Sequence, residues 1–292
     1  MEAVADLVAR HALLVLFGAT LALLMASAVF WRLVQRYAPA CWRVVTKRWH
    51  LLAETRFAAR ARDFPVLGRW LASTLTGARF LGVFSILAFA FAAGAAALFF
   101  ELADELGADE SLGRFDAALS AALREHLSHG TLRFFAAITR LGDPEFLIML
   151  SAVVAVILAA ARRSLLAGAW IVATVGGGLM NRLLKSVFER TRPLHDHGLA
   201  NETGWSFPSG HASGSMLVYG LLGYLIVRHA PAAWHVPVAL TSLALIVFVG
   251  SSRVLLQVHY LSDILAGYAS AAAWVALCIA GLEAVRWRES AR

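Results

Sequence analysis

Seven stretches of this sequence are apolar for long enough, or almost long enough, to cross a lipid bilayer, a crossing that takes about 20 residues. They run approximately over 12–31, 80–100, 146–161, 165–184, 212–227, 236–250 and 261–282. A bilayer core offers no water to backbone N–H and C=O groups, so separate spans of this length fold as helices. The expected class is all-α, a polytopic membrane helix bundle. The third, fifth and sixth runs are short and reach spanning length only if flanking polar residues join the helix. Composition agrees: 60% of residues are apolar and 15% charged, against about 25% charged in soluble domains. Cys41 and Cys278 are the two cysteines, which excludes a disulfide scaffold and a cysteine-rich zinc site.

Lysine and arginine orient the spans, because short cytoplasmic loops collect them. Between the first two spans lie Arg32, Arg36, Arg43, Lys47, Arg48, Arg56, Arg60, Arg62, Arg69 and Arg79, opposed by Glu54 and Asp63. Arg162 and Arg163, Arg228, and Arg286, Arg288 and Arg292 fall on the same side if the spans alternate. The loop over 101–145 carries nine acids and four arginines and falls opposite. The expected topology is N-terminus outside and C-terminus inside. The first run is read as a span rather than a signal peptide: Glu2 and Asp6 give its start the wrong charge, and the basic segment after it acts as a stop. That segment also carries Trp42, Trp49, Phe57 and Trp70. It is read as one or two amphipathic helices on an anionic inner leaflet, not as a nucleic-acid site, although the net charge is +7. Residues 116–141 are expected to form a further amphipathic surface helix on the outer side. Gly176, Gly177, Gly178, Gly210 and Gly214 fit close helix packing rather than a phosphate loop.

A charge at membrane depth costs about 2.5–3.5 kcal/mol on insertion scales, so polar clusters at span ends are the candidate sites. Three occur, all at outer ends in this topology. In KSVFERTRP, Lys185 closes a helix and Pro193 holds Arg192 extended. Two cations from a helix end and its loop suit an anion; the alternative is a snorkelling lysine with ordinary flanking arginines. In FPSGH, Ser209 and Gly210 open a helix with His211 in its first turn. Such an N-terminus is an anion site or a plain N-cap beside an interfacial histidine. In the third, Arg253 follows Ser252, with His259 and Asp263 beyond. Four residues apart, the last two share a face if the stretch is helical. A carboxylate would fix the imidazole tautomer and leave a nucleophile or base; a structural pair is the alternative.

Taken in order, Lys-x6-Arg-Pro, Pro-Ser-Gly-His and Ser-Arg-x5-His-x3-Asp resemble, at every motif position, the three-part signature of the type 2 phosphatidic acid phosphatase (PAP2) superfamily of lipid phosphate phosphatases. The resemblance covers residues 80–282, which hold six spans, the number expected in its membrane members. Residues 1–79, one span and the basic segment, stand outside it as an N-terminal addition to a phosphatase domain over 80–292.

The resemblance implies hydrolysis of a lipid phosphate or pyrophosphate at His259, the nucleophile that forms a phosphohistidine, with Asp263 holding its tautomer. His211 donates a proton to the leaving oxygen and then activates water. Lys185, Arg192 and Arg253 hold the phosphate, with Ser209 and the backbone near Gly210. Three fixed cations can stand in for a metal, so no metal or cofactor is required. The His195-Asp196-His197 run is read as a solvated rim of the site, and Arg182 or Arg190 as help for a second phosphate. Undecaprenyl pyrophosphate and phosphatidylglycerol phosphate lead the expected substrates, with phosphatidic acid and diacylglycerol pyrophosphate behind them. The expected setting is a bacterial inner membrane with the site facing the periplasm. A lipid phosphotransferase using the same phosphohistidine is the nearest alternative. A haloperoxidase of the superfamily would be soluble, and a lipid transporter would not need both histidines and Asp263.

Overall fold

The computed structural model describes residues 1–52, 79–107, 109–194, 198–200 and 202–290. Among them the chain is helical without strands, and helices long and apolar enough to span a bilayer lie at Ala12–Tyr37, Ser85–Asp104, His129–Ala160, Ser164–Phe188, Gly210–His229, Ala232–Leu255 and Leu261–Glu289. The short fifth and sixth runs reach length as expected, by recruiting polar residues at both ends: Gly210 and His211 at the start of one, Ser251 to Arg253 at the end of the other.

In chain order the helices are α1 (Glu2–Arg10), α2 (Ala12–Leu52), α3 (Arg79–Asp104), α4 (Ser111–His126), α5 (His129–Thr139), α6 (Pro144–Ala160), α7 (Ser164–Phe188), α8 (Gly210–His229), α9 (His235–Leu255) and α10 (Leu261–Ser290). Helices α8 and α10 form the middle of the bundle: α8 packs on α6, α7, α9 and α10, and α10 packs along α3. Their shared core is Leu147, Val154, Trp170, Ala173, Leu217, Val218, Ile246, Val249 and Val275. The glycine run does what close packing requires. A Cβ on Gly176 would lie 2.5 Å from the Trp274 ring, and one on Gly177 2.5 Å from Leu217. The outward faces of α2, α3, α6 and α7 expose Leu14, Ile86, Phe89, Val156, Val172 and Leu183, as surfaces meant for lipid do.

Two expectations change. Residues 116–141 are not one surface helix: α4 stops at His126, and Ser128 caps α5 by accepting from Thr131 N at 3.2 Å. The basic segment does not begin with a separate helix either, because α2 runs unbroken to Leu52. Residues 53–78, where most of the remaining basic segment falls, lie outside the described residues.

The N-terminus returns to the same end as the three polar clusters. Helix α1 buries Ala5 and Ala9 against α4, and Asp6 pairs with His126 at 2.8 Å. Helix α2 then descends along α9, with Phe17 against Phe248 and Trp31 against His235. At the opposite end of the bundle lie Arg163, which meets His229 at 2.9 Å, and Arg228, paired with Glu283 at 2.9 Å.

Candidate active site

Four helix ends converge on one rim: the C-termini of α7 and α9 and the N-termini of α8 and α10. The turn from α9 to α10 does most to shape the site. Leu256 and Gln257 close it, with Gln257 at φ +52°, and Val258 N and His259 N both donate to Arg253 O, at 3.1 and 3.3 Å. The turn ties the His259 backbone to the Arg253 carbonyl six residues back, a bond that no straight α-helix makes.

His259 and Asp263 meet, but not through the expected shared helical face. His259 precedes α10, and Asp263 sits in its first turn. The Asp263 carboxylate folds back to accept from Tyr260 N at 3.0 Å, as a capping-box acid does, and the same oxygen, Oδ2, lies 3.2 Å from His259 Nδ1. Nδ1 therefore carries the proton and Nε2 the lone pair. That lone pair faces Arg192, whose Nη1 is 3.0 Å away. His259 is 2% exposed. Burial holds its ring neutral, down to about 4, even with Asp263 beside it.

Arg192 arrives as anticipated. Helix α7 ends at Phe188 through the left-handed Glu189, φ 44°, and the extended chain carries Arg192 across the rim to Val258 O at 2.8 Å and Gly204 O at 3.0 Å. Arg253 is 1% exposed and donates from Nη1 to Thr139 Oγ1 at 2.7 Å. Lys185 donates to Trp205 O at 2.5 Å and shares the electrostatic neighbourhood of Arg192 and Arg253. Ser209 caps α8, its Oγ accepting from Ala212 N at 3.4 Å, and is fully buried, while its own N–H bonds Asp263 O at 3.0 Å. Gly210 opens α8 beside Asn181. Phe207, in the same segment, is wedged between Phe99 of α3 and Phe188 of α7, with ring centroids 5.5 and 5.1 Å away. All eight residues singled out in the sequence thus lie on one rim.

Three acids outside the motifs complete it. Glu202 fills the middle of the cation cluster. Its carboxylate bonds Arg253 Nη2, lies 3.7 Å from Arg192 Nη2 and 3.9 Å from His211 Nδ1. Burial works against its charge, but Arg253, His211, Arg192 and His259 together hold it below the usual carboxylate range. Any anion bound by both arginines must take this place. Asp143 meets His211 from the other side, Oδ1 to Nε2, at 3.0 Å. Asp116 of α4, 1% exposed, accepts from Ser262 N at 3.3 Å and pairs with Arg190 at 3.0 Å.

Arg190 is not available for a second phosphate. Its guanidinium bridges Asp116 and Asp263, 2.7 Å from Asp263 Oδ1, and stacks on Tyr260 at 4.2 Å. It fixes the very carboxylate that fixes His259. Arg182 is exposed on α7. His195, Asp196 and His197 lie outside the described residues; among those described, no three acids, histidines or cysteines cluster as a metal site would require.

Residues 166–287, which hold every motif position, match the family model described as the PAP2 superfamily. Phosphatidylglycerophosphatase B of Bacillus subtilis is 38% identical over 92 residues, 31% of this chain and 45% of the relative. A lipid A 1-phosphatase of Rhizobium etli is 32% identical over 112 residues, 35% of this chain and 44% of the relative. The chain thus spans somewhat under half the length of these curated relatives. The crystal structure of a transmembrane PAP2-type phosphatidylglycerolphosphate phosphatase from Bacillus subtilis superposes with TM-score 0.62 at 27% identity, over 66% of this chain and 96% of that one. With its motif-bearing helices matched in sequence and its bundle matched in three dimensions, this multi-pass membrane chain carries over residues 166–287 a region similar to the PAP2 superfamily.

Proposed function

We propose that this chain is a membrane lipid phosphatase that removes the terminal phosphate of a lipid phosphate or pyrophosphate through a phosphohistidine at His259. One observation carries the reading: a buried imidazole has Nδ1 tied to a carboxylate and Nε2 turned toward the Arg192 guanidinium, which converges with that of Arg253 on the Glu202 carboxylate. A group that must attack phosphorus needs a lone pair at working pH and an anion held in front of it. Arg192 and Arg253 supply donors in fixed forks suited to phosphate oxygens, and Lys185 adds a third charge. Fixed charges of this kind act most on a transition state that spreads charge over the equatorial oxygens.

His259 Nε2 attacks phosphorus while the lipid oxygen leaves with a proton from His211. Water then attacks the phosphohistidine and returns a proton to His211. Asp263, held by Arg190 and Tyr260 N, stabilises the positive charge that His259 gains. The relatives' names, phosphatidylglycerophosphatase and lipid A 1-phosphatase, support a glycerophospholipid phosphate or another lipid phosphate as substrate class; undecaprenyl pyrophosphate and phosphatidic acid fit the same chemistry. Head group in the cation cluster and chains between helices is the pose that the rim supports. The arginines collected at the far end support a rim that faces away from the cytoplasm.

Phosphate release from a panel of purified lipid phosphates and pyrophosphates in detergent, with EDTA present, tests the proposal. Free phosphate from at least one lipid, lost in His259→Ala, is expected. Activity that stops with EDTA and returns with Mg²⁺ or Zn²⁺ would contradict the metal-free scheme, and phosphate passed to an alcohol without free release would make the chain a transferase.

A further inference from the structure

His211 has a carboxylate partner of its own. Asp143 is the N-cap residue of α6, yet its side chain makes no cap bond; Oδ1 turns instead to His211 Nε2, 3.0 Å away. The turn that carries it is fastened to α8 and α9 at several points. Tyr219 OH of α8 donates to Leu141 O at 2.6 Å, and Asp143 N closes the turn on Arg140 O at 3.2 Å. Gly142 passes so close that a Cβ would stand 2.3 Å from Val249 Cγ1 and 3.0 Å from His211 Cδ2. Only a glycine lets Asp143 reach the ring from this side. The other ring nitrogen, Nδ1, looks into the cation cluster, 3.9 Å from the Glu202 carboxylate that marks the anion position.

We propose that Asp143 is the positioning residue for proton transfer by His211: it accepts from Nε2–H, so that Nδ1 is the nitrogen presented to the lipid oxygen. This rests on the phosphatase reading above. Charged and titratable groups face His211 from four directions: Arg253 from α9, Arg192 and Glu202 from the segment before α8, His259 from the turn before α10, and Asp143 from the turn before α6. The guanidiniums repel a protonated ring and the carboxylates attract it. Glu202 must yield its place to phosphate, and Asp143 is then the carboxylate left in contact with the imidazolium. A carboxylate behind a histidine sets tautomer and basicity together.

The bond from phosphorus to the lipid oxygen breaks as the bond from phosphorus to His259 Nε2 forms, and the Nδ1 proton of His211 moves to that oxygen. In the second half, water oxygen bonds to phosphorus, the N–P bond breaks, and the proton from water moves to His211 Nδ1. Asp143 stays ionised and Nε2–H stays bonded to it throughout.

Leaving-group dependence tests the assignment in a way a structural role would not mimic. A lipid alkoxide needs a proton as it leaves; the phenolate of p-nitrophenyl phosphate does not. General acid catalysis contributes about 10²–10⁴-fold, so Asp143→Asn should slow kcat on a lipid phosphate monoester by about 10²-fold. On p-nitrophenyl phosphate the first step should be nearly unchanged, read as burst formation of phosphoenzyme. Asp143→Glu should recover part of the lipid rate. Both rates come from one preparation, so their ratio does not depend on how much protein folds. An equal loss on both substrates, or no loss on either, would overturn the role of Asp143 and leave the phosphatase reading standing. A wild-type chain that releases phosphate from neither substrate would overturn the phosphatase reading, and this assignment with it.

Discussion

Glu202→Gln should tighten binding of phosphate-like anions while making the protein easier to unfold. The carboxylate bonds Arg253 and approaches Arg192 and His211, and about a quarter of its side chain is exposed. Hydrogen bonds to charged groups contribute about 1.5–3 kcal/mol, roughly twice the neutral kind. Glutamine keeps the shape and loses about half of that, so an incoming anion displaces a competitor weaker by about 0.7–1.5 kcal/mol. At 1.4 kcal/mol per factor of ten, the inhibition constant for orthovanadate should fall by about 3- to 12-fold. Stability should move the other way, because Arg253 is 1% exposed and loses its counter-charge. The pH dependence has a definite sign. Glu202 titrates below its ordinary value in the folded chain, so its contribution is complete above that ordinary value and is lost as pH falls through the folded one. The gap in Tm between wild type and variant should be full at neutral pH and close in acid. Vanadate inhibition and thermal unfolding in detergent, with and without vanadate, measure both effects. Weaker vanadate binding in Glu202→Gln would refute the reasoning: it would mean that the carboxylate builds the anion site instead of occupying it.

Three further outcomes are expected. The His259 ring, followed by NMR of ¹³C-labelled histidine, should titrate near about 4 and stay neutral around 6.5, where a free imidazole takes its proton; because the unfolded chain takes that proton first, stability should fall as pH drops from about 6.5 toward 4. Asp116→Asn and Arg190→Ala should each lower Tm and turnover although neither touches phosphate, since breaking a buried pair from one side costs about 3–5 kcal/mol; Arg190→Lys should recover little, as an ammonium cannot span both carboxylates, and an Asp116→Asn protein with wild-type turnover would disprove the link to His259. A reporter inserted between residues 198 and 200 should read outside and one fused after Arg292 cytoplasmic, whereas a cytoplasmic reading for the first would reverse the proposed orientation.

The spans were legible because the bilayer imposes a length and a composition that few other pressures imitate, and even the short runs could be extended from their polar ends. The motif positions were legible because each is local: Lys185 to Pro193, Pro208 to His211, and Arg253 to Asp263 each lie within a dozen residues. What could not be read were the partners contributed from afar. Glu202 reaches Arg253 across 51 positions, Asp143 reaches His211 across 68, and Asp116 reaches Arg190 across 74. In the sequence these acids blend into loops rich in acids, and a count of loop charges gives no reason to single them out. Two weak signals were present. An Asp-Pro after Gly142 announces a helix start with a spare carboxylate, and Asp116 stands on the apolar side of an amphipathic helix, where a charge needs a partner. The meeting of His259 with Asp263 was legible and its geometry was not, since spacing alone does not distinguish a shared helical face from a capping acid that reaches back past the helix start.

Covalent trapping addresses the central claim most directly. His211→Ala, quenched within its first turnover of a ³²P-labelled aryl phosphate, should carry label that is stable to alkali, lost in mild acid, and absent when His259→Ala is added. Label that persists in the double variant would place the phosphoryl group on another residue and contradict the account.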